Sequence, residues 1–80
     1  MELTPPVLID RFTPSGRLAG FAVRRAEYRP VFEADGRCYR FERIPPGERE
    51  AALREAFRRV RREVWTAREW RLVAKWEGYG

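Results

Sequence analysis

Eighty residues suffice for one domain and are too few for two, so the chain is expected to fold as a single domain over 1–80. Its formal charge is +5, carried by sixteen Arg against one Lys, Lys75. His is absent and Cys38 is the only cysteine, which excludes Ser–His and Cys–His nucleophiles, His-ligated metals and any intrachain disulfide.

Val7 to Phe12 begins apolar and β-branched and meets a turn cluster at Thr13-Pro14-Ser15-Gly16, which predicts a first strand. Leu18 to Glu27 starts with small and aromatic residues and ends charged. The simplest expectation is a second strand reversing on the first. Asp35-Gly36, between two alternating runs, predicts a hairpin with a two-residue loop, whose central positions both need positive φ. That register sets Ala34 against Arg37, Phe32 against Tyr39 and Pro30 against Phe41 on one face. Glu33 then meets Cys38, Val31 meets Arg40 and Arg29 meets Glu42 on the other. Pro30 cannot donate to a ladder, so its strand should lie at an edge or begin there.

Pro45-Pro46-Gly47 cannot continue a strand, and Glu48 and Glu50 suit the positive end of a helix dipole. From there to about Trp65, Leu53, Phe57, Val60 and Val64 recur at offsets of four, seven and eleven with Ala56 alongside, which predicts an amphipathic helix. Trp70, Leu72, Ala74 and Trp76 alternate with Arg71, Val73, Lys75 and Glu77, which predicts a closing, half-buried strand. The expected fold class is α+β: an antiparallel sheet of four to five strands with one amphipathic helix packed on one face, in the order β-β-β-β-α-β.

The tract Leu72-Val73-Ala74-Lys75-Trp76-Glu77-Gly78-Tyr79 superficially resembles the chromodomain strand commonly written LVKWKGY, with Ala74 inserted. It covers about a tenth of the chain and lacks the strand and helix that would follow, and core packing accounts better for Trp70 and Trp76. The order of strands followed by a helix is similar to that of PUR-type single-strand binders in topology alone.

Scarcity of Asn, Gln and Met suits a heat-adapted protein, although a GC-rich genome produces much of the same bias. No apolar run reaches the length of a signal peptide or a membrane span, so a cytoplasmic location and no membrane partner are expected. No cofactor, metal site or catalytic set is legible. The functional expectation rests on arginine, which contacts phosphate bidentately and stacks on bases where Lys offers a point charge. On the predicted helix Arg54, Arg58, Arg61 and Arg62 share a sector beside the apolar stripe, and Trp65 points into it. These five are the candidate site for a non-catalytic module binding single-stranded nucleic acid or structured RNA. The competing account of the stripe is a solvated helix face. A second basic surface is the outward sheet face, with Arg29, Val31, Cys38, Arg40 and Glu42. Two alternatives stand beside nucleic acid: a homo-oligomer or a module meeting an acidic protein partner, and an Arg/Tyr-type ribonuclease toxin using Lys75, Tyr79 and an Arg.

Overall fold

The structure is a computed structural model that describes residues 4–60 and 64–78. In chain order it builds β1 (Val7–Phe12), α1 (Gly16–Phe21) running on into a π-helical turn over Ala22–Ala26, β2 (Tyr28–Phe32), β3 (Cys38–Arg43), α2 (Arg49–Arg58) and α3 (Ala67–Trp76). The sheet has three antiparallel strands in the order β1-β3-β2. The expected four to five strands with one helix, ordered β-β-β-β-α-β, are therefore corrected to three strands and three helices among the described residues, ordered β-α-β-β-α-α. Both extra helices replace predicted strands. The topological likeness to PUR-type binders goes with them.

The segment after β1 is helical because Ser15 caps it and its apolar residues follow helical spacing. The Ser15 hydroxyl accepts the Leu18 N–H at 3.1 Å, as an N-cap does. Leu18, Ala22 and Ala26 then recur at i, i+4 and i+8, with Ala19 and Val23 on the adjoining row, and all five are buried. The helix ends where Glu27 adopts φ 59° and its N–H reaches back to the Ala22 carbonyl.

α3 starts with a capping box. Thr66 Oγ1 accepts the Glu69 N–H at 3.2 Å, and Glu69 Oε1 accepts the Thr66 N–H at 3.1 Å. Glu69, Leu72, Val73 and Trp76 form its buried row. The alternation of Trp70, Leu72, Ala74 and Trp76 is incidental to this face: Trp70 is exposed and Val73, expected outward, is buried.

The hairpin keeps its predicted pairs at the base and changes them at the tip. Arg29–Glu42, Pro30–Phe41 and Val31–Arg40 are as expected, but Phe32 pairs with Cys38 and not Tyr39. The Glu33 N–H donates to the Arg37 carbonyl and the Gly36 N–H to the Glu33 carbonyl, both at 2.9 Å. The loop is thus three residues, Ala34-Asp35-Gly36. Only Gly36 has positive φ, at 83°. This is a type I turn closed by a glycine bulge. Asp35 Oδ1 accepts the Arg37 N–H at 2.9 Å, which stabilises the turn without placing Asp35 in the left-handed region. The one-residue slip is absorbed at Tyr39, the extra residue of a bulge. Cys38 consequently faces the core, where it is fully buried, and not the outward face expected for it.

α2 is entered through a turn in which Gly47 takes φ 88° and the Glu48 N–H meets the Pro45 carbonyl at 3.1 Å. It is shorter than predicted. The Arg59 and Val60 N–H groups drop to the Ala56 and Phe57 carbonyls three residues back, tightening the last turn. Its buried side is also rotated. Ala56, with Ala52 and Leu53, packs on Ala19, Val23 and Ile44, whereas Phe57, Val60 and Val64 of the predicted stripe are exposed. Small residues let the two helices approach closely. At Gly16 the approach is closest, since a Cβ there would lie 2.1 Å from the Arg59 carbonyl oxygen.

Trp76, 1% exposed, centres the main core. Phe41 meets it edge-on at 4.9 Å between centroids, Phe21 lies at 5.9 Å and Tyr28 stacks at 6.4 Å. Leu18, Ala22, Ala26, Cys38, Leu72 and Val73 fill the space between them. Burial pushes the Cys38 thiol above its ordinary pKa, against smaller lowering effects from the Arg40 and Val31 backbone and from Arg59.

Candidate nucleic-acid interface

The predicted arginine stripe is only partly placed. Arg61 and Arg62 lie outside the described residues. Arg54 and Arg58 are exposed on α2, each beside a carboxylate: Arg54 is 3.8 Å from Glu50 and Arg58 is 3.3 Å from Glu55. Exposed pairs of this kind contribute about 0–1 kcal/mol and leave both side chains largely hydrated. Trp65 is half-buried, edge-on to Phe21 at 6.2 Å and stacked on Trp70 at 4.6 Å. One of its faces is therefore covered by Trp70. The outer ring of this stack is Trp70, which is 58% exposed.

Trp70 opens onto a groove of about 430 Å³ lined by α1, the π-helical turn, the end of α2 and the start of α3. Arg17, Arg24 and Arg25 stand along it with Phe21, Phe57 and Trp65. All three arginines are exposed. Among the described residues none of them has a carboxylate within ion-pairing distance. Arg24 lies over the Phe57 ring at 4.7 Å, a contact that leaves its guanidinium edge free to donate. The helical path explains the grouping. Arg17, Gly20, Phe21, Arg24 and Arg25 follow i, i+3, i+4, i+7 and i+8, which puts all five on one face. Read as a strand, the same residues alternate between two faces, which is why this groove was not expected. The signal that could have found it is Ser15 as an N-cap followed by the 18/22/26 apolar spacing.

Elsewhere the cations are mostly compensated. On the outward sheet face Arg29 Nε donates to Glu42 at 3.0 Å, and Arg40 lies 3.9 Å from Glu42. Arg11 lies 2.8 Å from Glu33 and Arg49 4.0 Å from Glu27. Arg59 covers the Phe32 ring at 4.0 Å. Lys75, proposed for a ribonuclease site, is exposed on α3, and Tyr79 lies outside the described residues.

The buried acid Glu69, 2% exposed, is fully used in holding the fold. Its Oε2 accepts the Ser15 N–H at 2.9 Å and the Ser15 hydroxyl, while Oε1 accepts the Thr66 N–H. One carboxylate thus ties the starts of α1 and α3 together and sets the walls of the groove. Among the described residues no helix is long and apolar enough to cross a membrane. Compared with protein-family models, curated proteins and solved structures, the chain matches none.

Proposed function

We propose that this protein is a non-catalytic module that binds single-stranded nucleic acid, or the unpaired stretches of structured RNA, in the groove between α1 and α3. One observation carries the proposal: three arginines without carboxylate partners share a groove with an exposed indole. Guanidinium groups neutralise phosphates, and an aromatic face accepts a base of any sequence, each stack contributing about 1–3 kcal/mol. In this arrangement Arg17, Arg24 and Arg25 contact phosphates and Trp70 stacks. Trp65 backs Trp70, a supporting part where the sequence suggested direct stacking. Arg54 and Arg58 add to the basic surface from α2.

The test is a titration of the intact protein with oligo(dT) and oligo(U), followed by tryptophan fluorescence at several salt concentrations. Each neutralised phosphate of a single strand contributes a slope of about −0.7 to log K against log salt. Three arginines therefore give a slope of roughly −2. Replacing Arg17, Arg24 and Arg25 together by Glu should weaken binding by about 100-fold or more and flatten the slope, with the circular dichroism unchanged. Arg54→Glu with Arg58→Glu should cost much less. Absence of binding by the intact protein at low salt overturns the proposal, as does equal binding by the triple variant.

A further inference from the structure

A second groove lies between the edge strand and the last helix. It is lined by Val7, Leu8, Ile9 and Asp10 of β1 and by Arg68, Arg71, Leu72 and Lys75 of α3. β1 pairs with β3 on one side and has no other strand neighbour among the described residues. An unsatisfied strand edge is a template for another strand. The side chains around it invite one: Val7 is 86% and Ile9 95% exposed. The helix wall is basic. Arg68 is engaged by Asp10 at 3.6 Å, but Arg71 and Lys75, one helical turn apart, have no carboxylate partner among the described residues.

We infer that β1 receives an extended acidic peptide segment of a partner protein, added as a fourth strand and lying over Arg71 and Lys75. Main-chain hydrogen bonds to the β1 edge supply the shared part of the affinity, and the side chains supply selectivity. Apolar side chains of the incoming strand meet Val7 and Ile9. Its alternate acidic side chains face the two free cations. Charge selects this occupant over a second copy, which would bring the same +5 charge and the same uncompensated pair. This site uses none of the residues of the arginine–tryptophan groove.

The probe is a fluorescent, end-blocked peptide of alternating Glu and Val, measured by anisotropy against the intact protein and by amide chemical shifts. Saturable binding is expected, with shifts concentrated on Val7–Phe12 and on α3. A peptide with Lys in place of Glu should bind at least about tenfold more weakly. So should a peptide with two N-methylated residues, which keeps its charge and loses ladder donors. Arg71→Glu with Lys75→Glu should weaken the acidic peptide by a similar factor while leaving oligo(dT) binding in place. Equal affinity of the N-methylated peptide would overturn strand addition. Shifts confined to other elements would overturn the site, as would no binding at low salt. A concentration-dependent dimer whose shifts map to β1 would show that the occupant is a second copy and overturn the acidic partner.

Discussion

Replacing Glu69 by Gln removes one charge and keeps the side chain's shape, so it isolates what the buried carboxylate does for the fold. The acid accepts three hydrogen bonds, from the Ser15 N–H, the Ser15 hydroxyl and the Thr66 N–H. A glutamine offers one oxygen and turns its NH₂ group toward donors. If the oxygen stays with Ser15, the Thr66 N–H loses its acceptor; if it turns to Thr66, both Ser15 donors lose theirs. Hydrogen bonds to a charged group contribute about 1.5–3 kcal/mol, and a buried donor left unsatisfied costs about 1–3 kcal/mol. Ser15 and Glu69 are both buried, so water offers little compensation to the Ser15 donors, whereas Thr66 is exposed and its N–H can be partly hydrated. The expected loss is about 2–4 kcal/mol for Glu69→Gln and more for Glu69→Ala. A domain of this length has a total stability of roughly 4–12 kcal/mol, so the effect is large. Urea denaturation followed by circular dichroism and tryptophan fluorescence measures it as a lower midpoint at unchanged slope. A Ser15→Ala, Glu69→Gln double-mutant cycle should then show strong non-additivity. A Glu69→Gln midpoint within about 0.5 kcal/mol of wild type, or additive single effects, would refute the shared-cap argument.

The close contact of α1 with the end of α2 gives a pair of opposite expectations. Gly16→Ala forces a Cβ against the Arg59 backbone and should cost about 1–3 kcal/mol or more. Gly20→Ala, where nothing lies within 4 Å, should stabilise by about 0.4–1 kcal/mol; thermal unfolding of both variants checks the signs. The raised pKa of Cys38 makes a pH prediction. The thiol is neutral in both states below its unfolded value of about 8.5, so that stability is fully present there. As pH rises through the unfolded value and toward the folded one, the unfolded state ionises first and stability falls. Cys38→Ala should flatten the alkaline fall in urea midpoint relative to wild type, and an identical fall in both proteins would exclude the thiol as its source.

What could be read from the residues divides along physical lines. The presence of the hairpin and of α2 was legible from a glycine turn and from helix formers following Pro45-Pro46-Gly47. The apolar stripe expected on α2 was not its buried face, which is formed by Ala52, Leu53 and Ala56 while Phe57 and Val60 stay exposed. At the hairpin tip two slips cancelled. A three-residue loop replaced the two-residue one, and the bulge at Tyr39 restored the register, so that Val31 still meets Arg40. The two segments misread as strands each satisfy both periods over part of their length. Leu72 and Trp76 fit a strand face as well as a helix face, and only Val73 and Glu69 decide between them. Thr66-Ala67-Arg68-Glu69, a capping box, was the local signal for the helix. In α1, Gly20 and the small residues obscured the helical spacing of Leu18, Ala22 and Ala26. The candidate site followed the fold. Arg54, Arg58, Arg61 and Arg62 stood out as one sector of a predicted helix, while the cluster of Arg17, Arg24 and Arg25 with Trp70 exists only once both missed helices are in place.

The central claim is that nucleic acid sits against α1 and Trp70, and an amide and indole NMR footprint with a short oligo(dT) tests it most directly. The expected footprint covers Arg17 to Arg25, Phe57 and the Trp65 and Trp70 indoles, with the Arg54 region and β1 little changed. Perturbations centred on Arg54 and Arg58, or spread evenly over every basic surface, would contradict it.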